Sequence, residues 1–338
     1  MPGNPTLNRR RAIGIGAAAA VAAFGRSVSP ALATQQMMLK ASDVHPTGYP
    51  TVVAVENLAR KLATGTQCRL GIQMYPAMQL GGEKDAIEQA QQGAIQFARV
   101  SVGALSGVVD DLGVFNLPFL FRDVVHMRKV IDGAVGQQLL DKVTSHPLAG
   151  LVGLCWMDAG ARSIYDTRKP INGIADLKGL KVRVMGNPMF VDMMNAMGGN
   201  GVSMGYDEVL TALQTGAVDG AENNVPSFVF DKHYTVARYY TLTEHLILPE
   251  MLVFSKKAWI GLSADEQALV RKYSREAQME ERELWIRYER AALEMAKSAG
   301  IQIVAVADKG PFLQAVQPIW DKYGPKYAET IRSIQAVQ

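Results

Sequence analysis

Ala175–Pro188 reads A-D-L-K-G-L-K-V-R-V-M-G-N-P. Its β-forming run Leu180–Met185 is bounded by Gly179 on one side and by Gly186-Asn187-Pro188 on the other, which predicts a strand with sharp ends. Side chains alternate along a strand, so Arg183 shares a face with Lys181 and Met185. Downstream, Met189–Met197 has helical spacing and is stopped by Gly198-Gly199. A strand follows near Gly201–Met204, then a helix over Tyr206–Thr215 closed by Gly216, and Ala217–Ala221 leads into a short strand. Upstream the same rhythm has already run once. Strands are predicted at Met37–Ala41, Cys68–Met74, Ala94–Val100 and Leu151–Met157. Helices are predicted at Gly48–Ala63, Glu83–Gln91 and Val124–Val143, the last around Gly133 and Gly136. Two successive β-α units predict two α/β domains with largely parallel sheets, the second starting near Asp158.

One helical segment exceeds the scale of a single domain. Ser263 with Glu266 forms a capping box, no Gly or Pro interrupts the chain up to Ala299, and Gly300 supplies a stop. An unbroken helix there would run about 50 Å. It is either a strut across both domains, with Leu284, Trp285 and Tyr288 as contact surface, or two ordinary helices joined by a kink.

The amino terminus carries Arg9, Arg10 and Arg11, an apolar stretch Ala12–Phe24 and the small-x-small pattern Ala31-Leu32-Ala33. This is the pattern of a cleavable secretory leader over residues 1–33, and the apolar stretch is shorter than the ~20 residues of a spanning helix. Asn8 precedes the arginines where the twin-arginine signal has Ser or Thr, so Sec export is expected rather than Tat. The four arginines of residues 1–33, with no acid among them, account for the positive balance: the net charge of +3 becomes −1 for residues 34–338. The basic footprint of nucleic-acid binding is therefore absent, and no partner of that kind is expected. Two cysteines, Cys68 and Cys155, make neither a disulfide framework nor a metal site. Each is read as sitting alone in apolar surroundings, with a single bridge between them as the alternative.

Motifs for catalysis are missing: no HExxH spacing among the five histidines, no GxSxG, no GxxxxGK[ST], and no GxGxxG after a strand. No catalytic residue, cofactor or metal is expected. The informative polar groups are arginines at strand ends: Arg183, Arg162 after an apolar strand, and Arg99 at the end of another. A guanidinium grips a carboxylate through two parallel hydrogen bonds, and such arginines near a domain boundary point to an electropositive, acid-binding cleft. Each could equally be an ordinary surface or ion-paired arginine.

These residues lie in strings with a family character. Ala175–Pro188, Ala212–Asn224 (ALQTGAVDGAENN), Tyr75–Val100 and Phe115–Asp123 (FNLPFLFRD) resemble, in order and spacing, the DctP family. These are the extracytoplasmic binding proteins of TRAP transporters, and the resemblance runs from about Met38 to Gly300. It implies a two-lobed periplasmic binding protein fold with hinge strands and a long helix spanning both lobes. Lobe I would comprise residues 34–158 plus about 249–288, and lobe II residues 159–248 plus about 289–338. It also implies a periplasmic, monomeric protein that hands a carboxylate to transporter membrane subunits.

The resemblance places the ligand carboxylate on Arg183, with Arg162 as the second arginine and Asn223 beside it. Tyr206 matches an aromatic that lines the cleft of sialic-acid binders, but Ser101 stands where those binders carry a glutamate, which argues against that ligand. The strings around Arg99 and Asn223 look like the sugar-acid branch. A hexuronate such as glucuronate or galacturonate would take further contacts from His45, Glu83, Arg99 and Asn187. His45 and Glu83 also read as a loop histidine and a solvated acid at a helix start. The alternatives are a C4-dicarboxylate ligand, a sensor subunit, or a periplasmic carbohydrate-active enzyme using a carboxylate pair such as Asp207 and Glu222.

Overall fold

The computed structural model describes residues 36–338; the leader expected over 1–33 lies outside the described residues. The first run of elements is β1 (Met37–Ser42), α1 (Pro50–Gly65), β2 (Leu70–Tyr75), α2 (Glu83–Gln92), β3 (Phe97–Ser101) and the single turn α3 (Val102–Leu105). It continues with α4 (Val124–Asp132), α5 (Ala134–Ser145) and β4 (Leu151–Met157). The second run is β5 (Ala161–Asp166), β6 (Lys181–Val184), α6 (Pro188–Ala196), β7 (Asn200–Ser203), α7 (Val209–Thr215), β8 (Gly220–Asn223), α8 (Val225–Phe230) and β9 (Tyr239–Ile247). The chain ends with β10 (Glu250–Ser255), α9 (Lys256–Trp259), α10 (Ala264–Ser298), β11 (Gln302–Ala305), α11 (Gly310–Ala315), α12 (Gln317–Tyr323) and α13 (Ala328–Ala336).

Two sheets form, one per lobe, in the orders β2-β1-β3-β10-β4 and β11-β9-β5-β8-β6-β7. The expectation of largely parallel sheets needs correcting. β10 runs antiparallel to both β3 and β4, and β5 runs antiparallel to both β8 and β9. The reason is the hinge. β4 passes from the first sheet into β5 of the second through Asp158-Ala159-Gly160, and β9 returns into β10 through Leu248-Pro249. Two short connections cross between the sheets in opposite directions, so strands beside them must oppose their neighbours. Gly160 sits at φ +59°, and a Cβ there would lie 2.6 Å from Glu289 Oε1, so the first crossing requires glycine.

The long helix is single. Ser263 Oγ accepts the Glu266 N–H at 3.2 Å, while Glu266 Oε2 accepts the Ser263 N–H at 2.8 Å, and α10 then runs unbroken for 35 residues. It packs on α1 and β4 of the first lobe and on α8 of the second. Val270, Ala277, Trp285, Ala292 and Ala296 are buried along one stripe. The predicted helix over 124–143 is instead two helices broken at Gly133, and Gly136 lies so close to Ile131 that a Cβ would meet its carbonyl oxygen at 2.0 Å.

The C-terminal segment packs on segments of the first run. His126 Nε2 lies 3.0 Å from the Ile334 carbonyl oxygen, Arg122 donates to the Val337 carbonyl at 2.7 Å, and Tyr327 donates to the Asp110 carbonyl at 3.2 Å. Residues from 324 on thus contact segments of the first run, with Ile331 and Ile334 buried in the core. Both cysteines are free thiols. Cys155 is buried as expected, but Cys68 is exposed, because it occupies a left-handed turn (φ +64°) before β2 rather than the strand.

Candidate functional site

The sheets present their strand ends to a cleft of about 750 Å³ between the lobes. Eight of the nine expected site residues line it: His45, Glu83, Arg99, Ser101, Arg162, Arg183, Tyr206 and Asn223.

Arg183 lies on β6, opposite Val202 of β7 and Ala221 of β8. It is 2 % exposed. Its Nε and Nη2 donate to the Met204 carbonyl oxygen at 3.1 and 2.8 Å, which fixes the plane of the guanidinium. No carboxylate among the described residues pairs with it, and Nη1 has no protein acceptor there. Burial pulls its pKa below the ordinary arginine range and outweighs the nearby Glu222 carboxylate, which is already paired with Arg162. The Tyr206 ring flanks it, with the guanidinium carbon 5.7 Å from the ring centroid. Tyr206 is itself held by a hydrogen bond from its hydroxyl to Asp231.

Arg162 is different. Its Nε and Nη2 reach Glu222 Oε2 and Oε1 at 2.6 and 2.9 Å, and Nη1 donates to Asn223 Oδ1 at 2.8 Å. Glu222 is fully buried; burial opposes its charge, but Arg162 and His245 outweigh that and bring its pKa down to about 2. Glu222, considered above as half of a catalytic pair, is thus an ionised partner of Arg162 with no proton to lend near neutrality. Asn223 Oδ1 also accepts the Asn224 N–H at 2.9 Å, so its Nδ2 is the group left to face the cleft.

The lobe I wall overturns the expectation of an electropositive cleft. Arg99 is 1 % exposed and enclosed by acid. Its Nε and Nη2 lie 3.1 and 2.7 Å from Asp43 Oδ1, and its Nη1 donates to Glu83 at 3.2 Å and also to Glu250. Burial works against this cation, yet the three carboxylates hold its pKa well above the usual range. Arg99 is therefore not available as a second anchor for an anion. Glu83, at the start of α2, further accepts the Ser101 N–H at 2.8 Å and the Ser101 hydroxyl at 2.7 Å. His45 stacks on Tyr49, their centroids 3.8 Å apart, with its Nδ1 2.7 Å from Arg99 Nη2.

Asn187 is a second correction. It does not line the cleft, because its amide is used up: Oδ1 accepts the Met189 N–H at 2.9 Å, while Nδ2 donates to the Gly103 carbonyl and to Ser106 Oγ, each at 3.0 Å. Sequence reasoning missed Asp43, Glu250 and the Met204 carbonyl. Asp43 could have been flagged, two residues before His45 at the end of a strand; the other two have no local signal.

The cleft therefore pairs one unneutralised guanidinium on lobe II with a carboxylate-rich wall on lobe I. Residues 41–326 match DctP, described as bacterial extracellular solute-binding protein, family 7. A solute-binding protein of Chromohalobacter salexigens is 38 % identical over 321 residues, covering 95 % of each chain. A TRAP periplasmic solute-binding protein from Pseudomonas putida F1, crystallised with D-glucuronate, superposes with TM-score 0.88 at 51 % identity, over 89 % of this chain and 98 % of that one. A Citrobacter koseri TRAP protein at 44 % identity gives 0.88 in its D-glucuronate complex, over 90 % of this chain and 100 % of that one. Its apo, open structure gives 0.79, over 89 % and 99 %. On this match the chain belongs to the DctP family of bacterial extracellular solute-binding proteins.

Proposed function

We propose that this chain captures a hexuronate in the periplasm and delivers it to the membrane subunits of a TRAP transporter. Arg183 carries the reading: a buried guanidinium of fixed orientation that lines the cleft and has no paired carboxylate among the described residues. A uronate carboxylate would satisfy it with a two-pronged pair, assisted by Asn223 Nδ2. The sugar hydroxyls would then face Glu83 and Glu250, which accept hydrogen bonds and repel a second anion. The glucuronate complexes of relatives at 51 % and 44 % identity support the same assignment. A C4-dicarboxylate would set its second carboxylate against that acidic wall. The chain acts as a monomer after export by the Sec route, with residues 1–33 removed.

Calorimetry on the chain lacking residues 1–33 tests this with D-glucuronate, D-galacturonate, succinate and glucose. One-to-one binding of a uronate without turnover, well tighter than succinate and with glucose silent, is expected. Succinate binding as tightly as either uronate, or product formation from a uronate, refutes it. A thermal-shift series provides an independent readout, since ligand at 100 times its Kd stabilises by about 2.7 kcal/mol.

A further inference from the structure

Asn187, displaced from the ligand-contacting set, sits where the lobes meet beside the cleft. It is the N-cap of α6 on lobe II, and its side-chain amide crosses to the α3 turn of lobe I. The receiving site there is already built. Ser106 Oγ donates to the Gly103 carbonyl at 3.0 Å and accepts from Asn116 Nδ2 at 2.9 Å, and Asn116 is buried. Gly103 lets the lobes touch: a Cβ there would lie 2.8 Å from both Met185 Cε and Phe190 Cε2 of lobe II. One helical turn further along α6, Asp192 accepts from Lys322 Nζ and from Tyr323 Oη, both at 2.6 Å. These belong to α12, which packs against α6 and is tied to lobe I through the Trp320 indole N–H and the Pro118 carbonyl, 3.0 Å apart.

We propose that Asn187 is a closure latch: a positioning residue that holds the lobes shut through Gly103 and Ser106 without touching the ligand. This rests on the capture reading and adds a distinct element to it. Arg183 decides what is bound, whereas Asn187 decides how long the cleft stays closed over it. On this proposal the contact is made only when the lobes are shut, so its loss acts on release rather than on encounter. Asp192 with Lys322 and Tyr323 fastens α6 to α12, and Trp320 with Pro118 carries α12 to lobe I.

Asn187→Ser is the discriminating variant, because serine caps a helix about as well as asparagine but is too short to cross to Gly103. With D-glucuronate as probe in stopped-flow fluorescence, dissociation should be about tenfold faster at an unchanged association rate and unchanged unliganded Tm. Ser106→Ala should act in the same direction, and the double variant should cost no more than the larger single effect. Spin labels on exposed Gln137 and Thr211, in a Cys68→Ser background, report the lobe separation of the unliganded chain independently of any ligand. The Asn187→Ser distribution should move toward the open form. Dissociation rates and distance distributions that both coincide with the parent chain overturn the latch. If the parent chain binds no uronate, the ligand reading fails, and the label distances alone decide the latch.

Discussion

Replacing Arg183 and Arg162 in turn by methionine should separate binding from stability, although both are buried arginines on one sheet of one cleft. Methionine keeps much of the aliphatic length and removes the charge. At Arg183 the unliganded protein loses two hydrogen bonds to a single carbonyl, about 1 kcal/mol net. It also sheds a desolvated cation that no carboxylate among the described residues pairs with, which works in the opposite direction. Unliganded stability should therefore change by no more than about 1 kcal/mol, roughly 2–4 °C in Tm. The ligand carboxylate, by contrast, loses the unneutralised guanidinium of the cleft. Truncating one side of a buried charged pair costs about 2–5 kcal/mol, some thirty- to several-thousandfold in Kd. At Arg162 the sign pattern reverses. Methionine leaves Glu222 fully buried without its bidentate partner, which costs on the order of 3–5 kcal/mol of folding stability. Calorimetry with D-glucuronate and scanning fluorimetry without ligand read the two effects separately. Arg183→Met binding within threefold of the parent, or Arg162→Met melting at the parent temperature, refutes this division of labour.

Gly103→Ala should weaken uronate binding about tenfold or more by wedging the closed interface, while the unliganded fold stays intact because opening relieves the contact; parent-like affinity counts against close apposition there. Glu281 is fully buried in α10, and burial together with Asp158 raises its pKa well above 4.5. The stability it contributes is thus present below the unfolded pKa and lost as pH rises, so Glu281→Gln should be the more stable chain at pH 8, with the gap closing toward pH 5; a gap that widens on acidification refutes this. Glu222 has the opposite sign: its folded pKa of about 2 against 4.5 contributes stability that is complete above about pH 4.5 and disappears as pH falls toward 2. Denaturant titrations across that window should show the decline in the parent and a shallower one in Glu222→Gln. Glu83→Gln should narrow the preference for D-glucuronate over succinate by removing one charge from the acidic wall; an unchanged ratio of dissociation constants refutes that role.

How much of this was legible in the sequence follows from how local each signal is. Leu151–Met157 was read with its observed limits, since it is apolar throughout and ends abruptly at Asp158-Ala159-Gly160. The long helix announced itself through Ser263 and Glu266, though its continuity was decided by packing on α1 and α8 rather than by any cap. β9 and β10 were not read, because Leu248-Pro249 looks like a loop until both neighbouring sheets are present to pair with it. The same limit applied to charge. Arg99, Arg162 and Arg183 look alike as strand residues, and their difference lies in partners from elsewhere. Asp43, Glu83 and Glu250 stand 56, 16 and 151 positions from Arg99. Asn187 illustrates the converse: its position was marked by the Gly-Asn-Pro turn, but only the facing lobe shows that its amide is spent on protein.

The uneven distribution of charge has a mechanical consequence for capture. When the lobes close on an empty cleft, Arg183 remains desolvated without an anion, and the acceptors of Glu83 and Glu250 lose water without gaining donors. On the latch proposal Asn187 acts in the other direction, toward closure. A ligand shifts such an equilibrium only by what it binds better in one form. An anion alone satisfies Arg183 on lobe II and gives lobe I nothing; a neutral sugar donates hydroxyls to lobe I and leaves Arg183 unpaired. A dicarboxylate supplies the first and adds repulsion at the second. A molecule with one carboxylate and several hydroxyls removes both penalties at once, and the hinge therefore selects for that combination before any fine contact with stereochemistry is made.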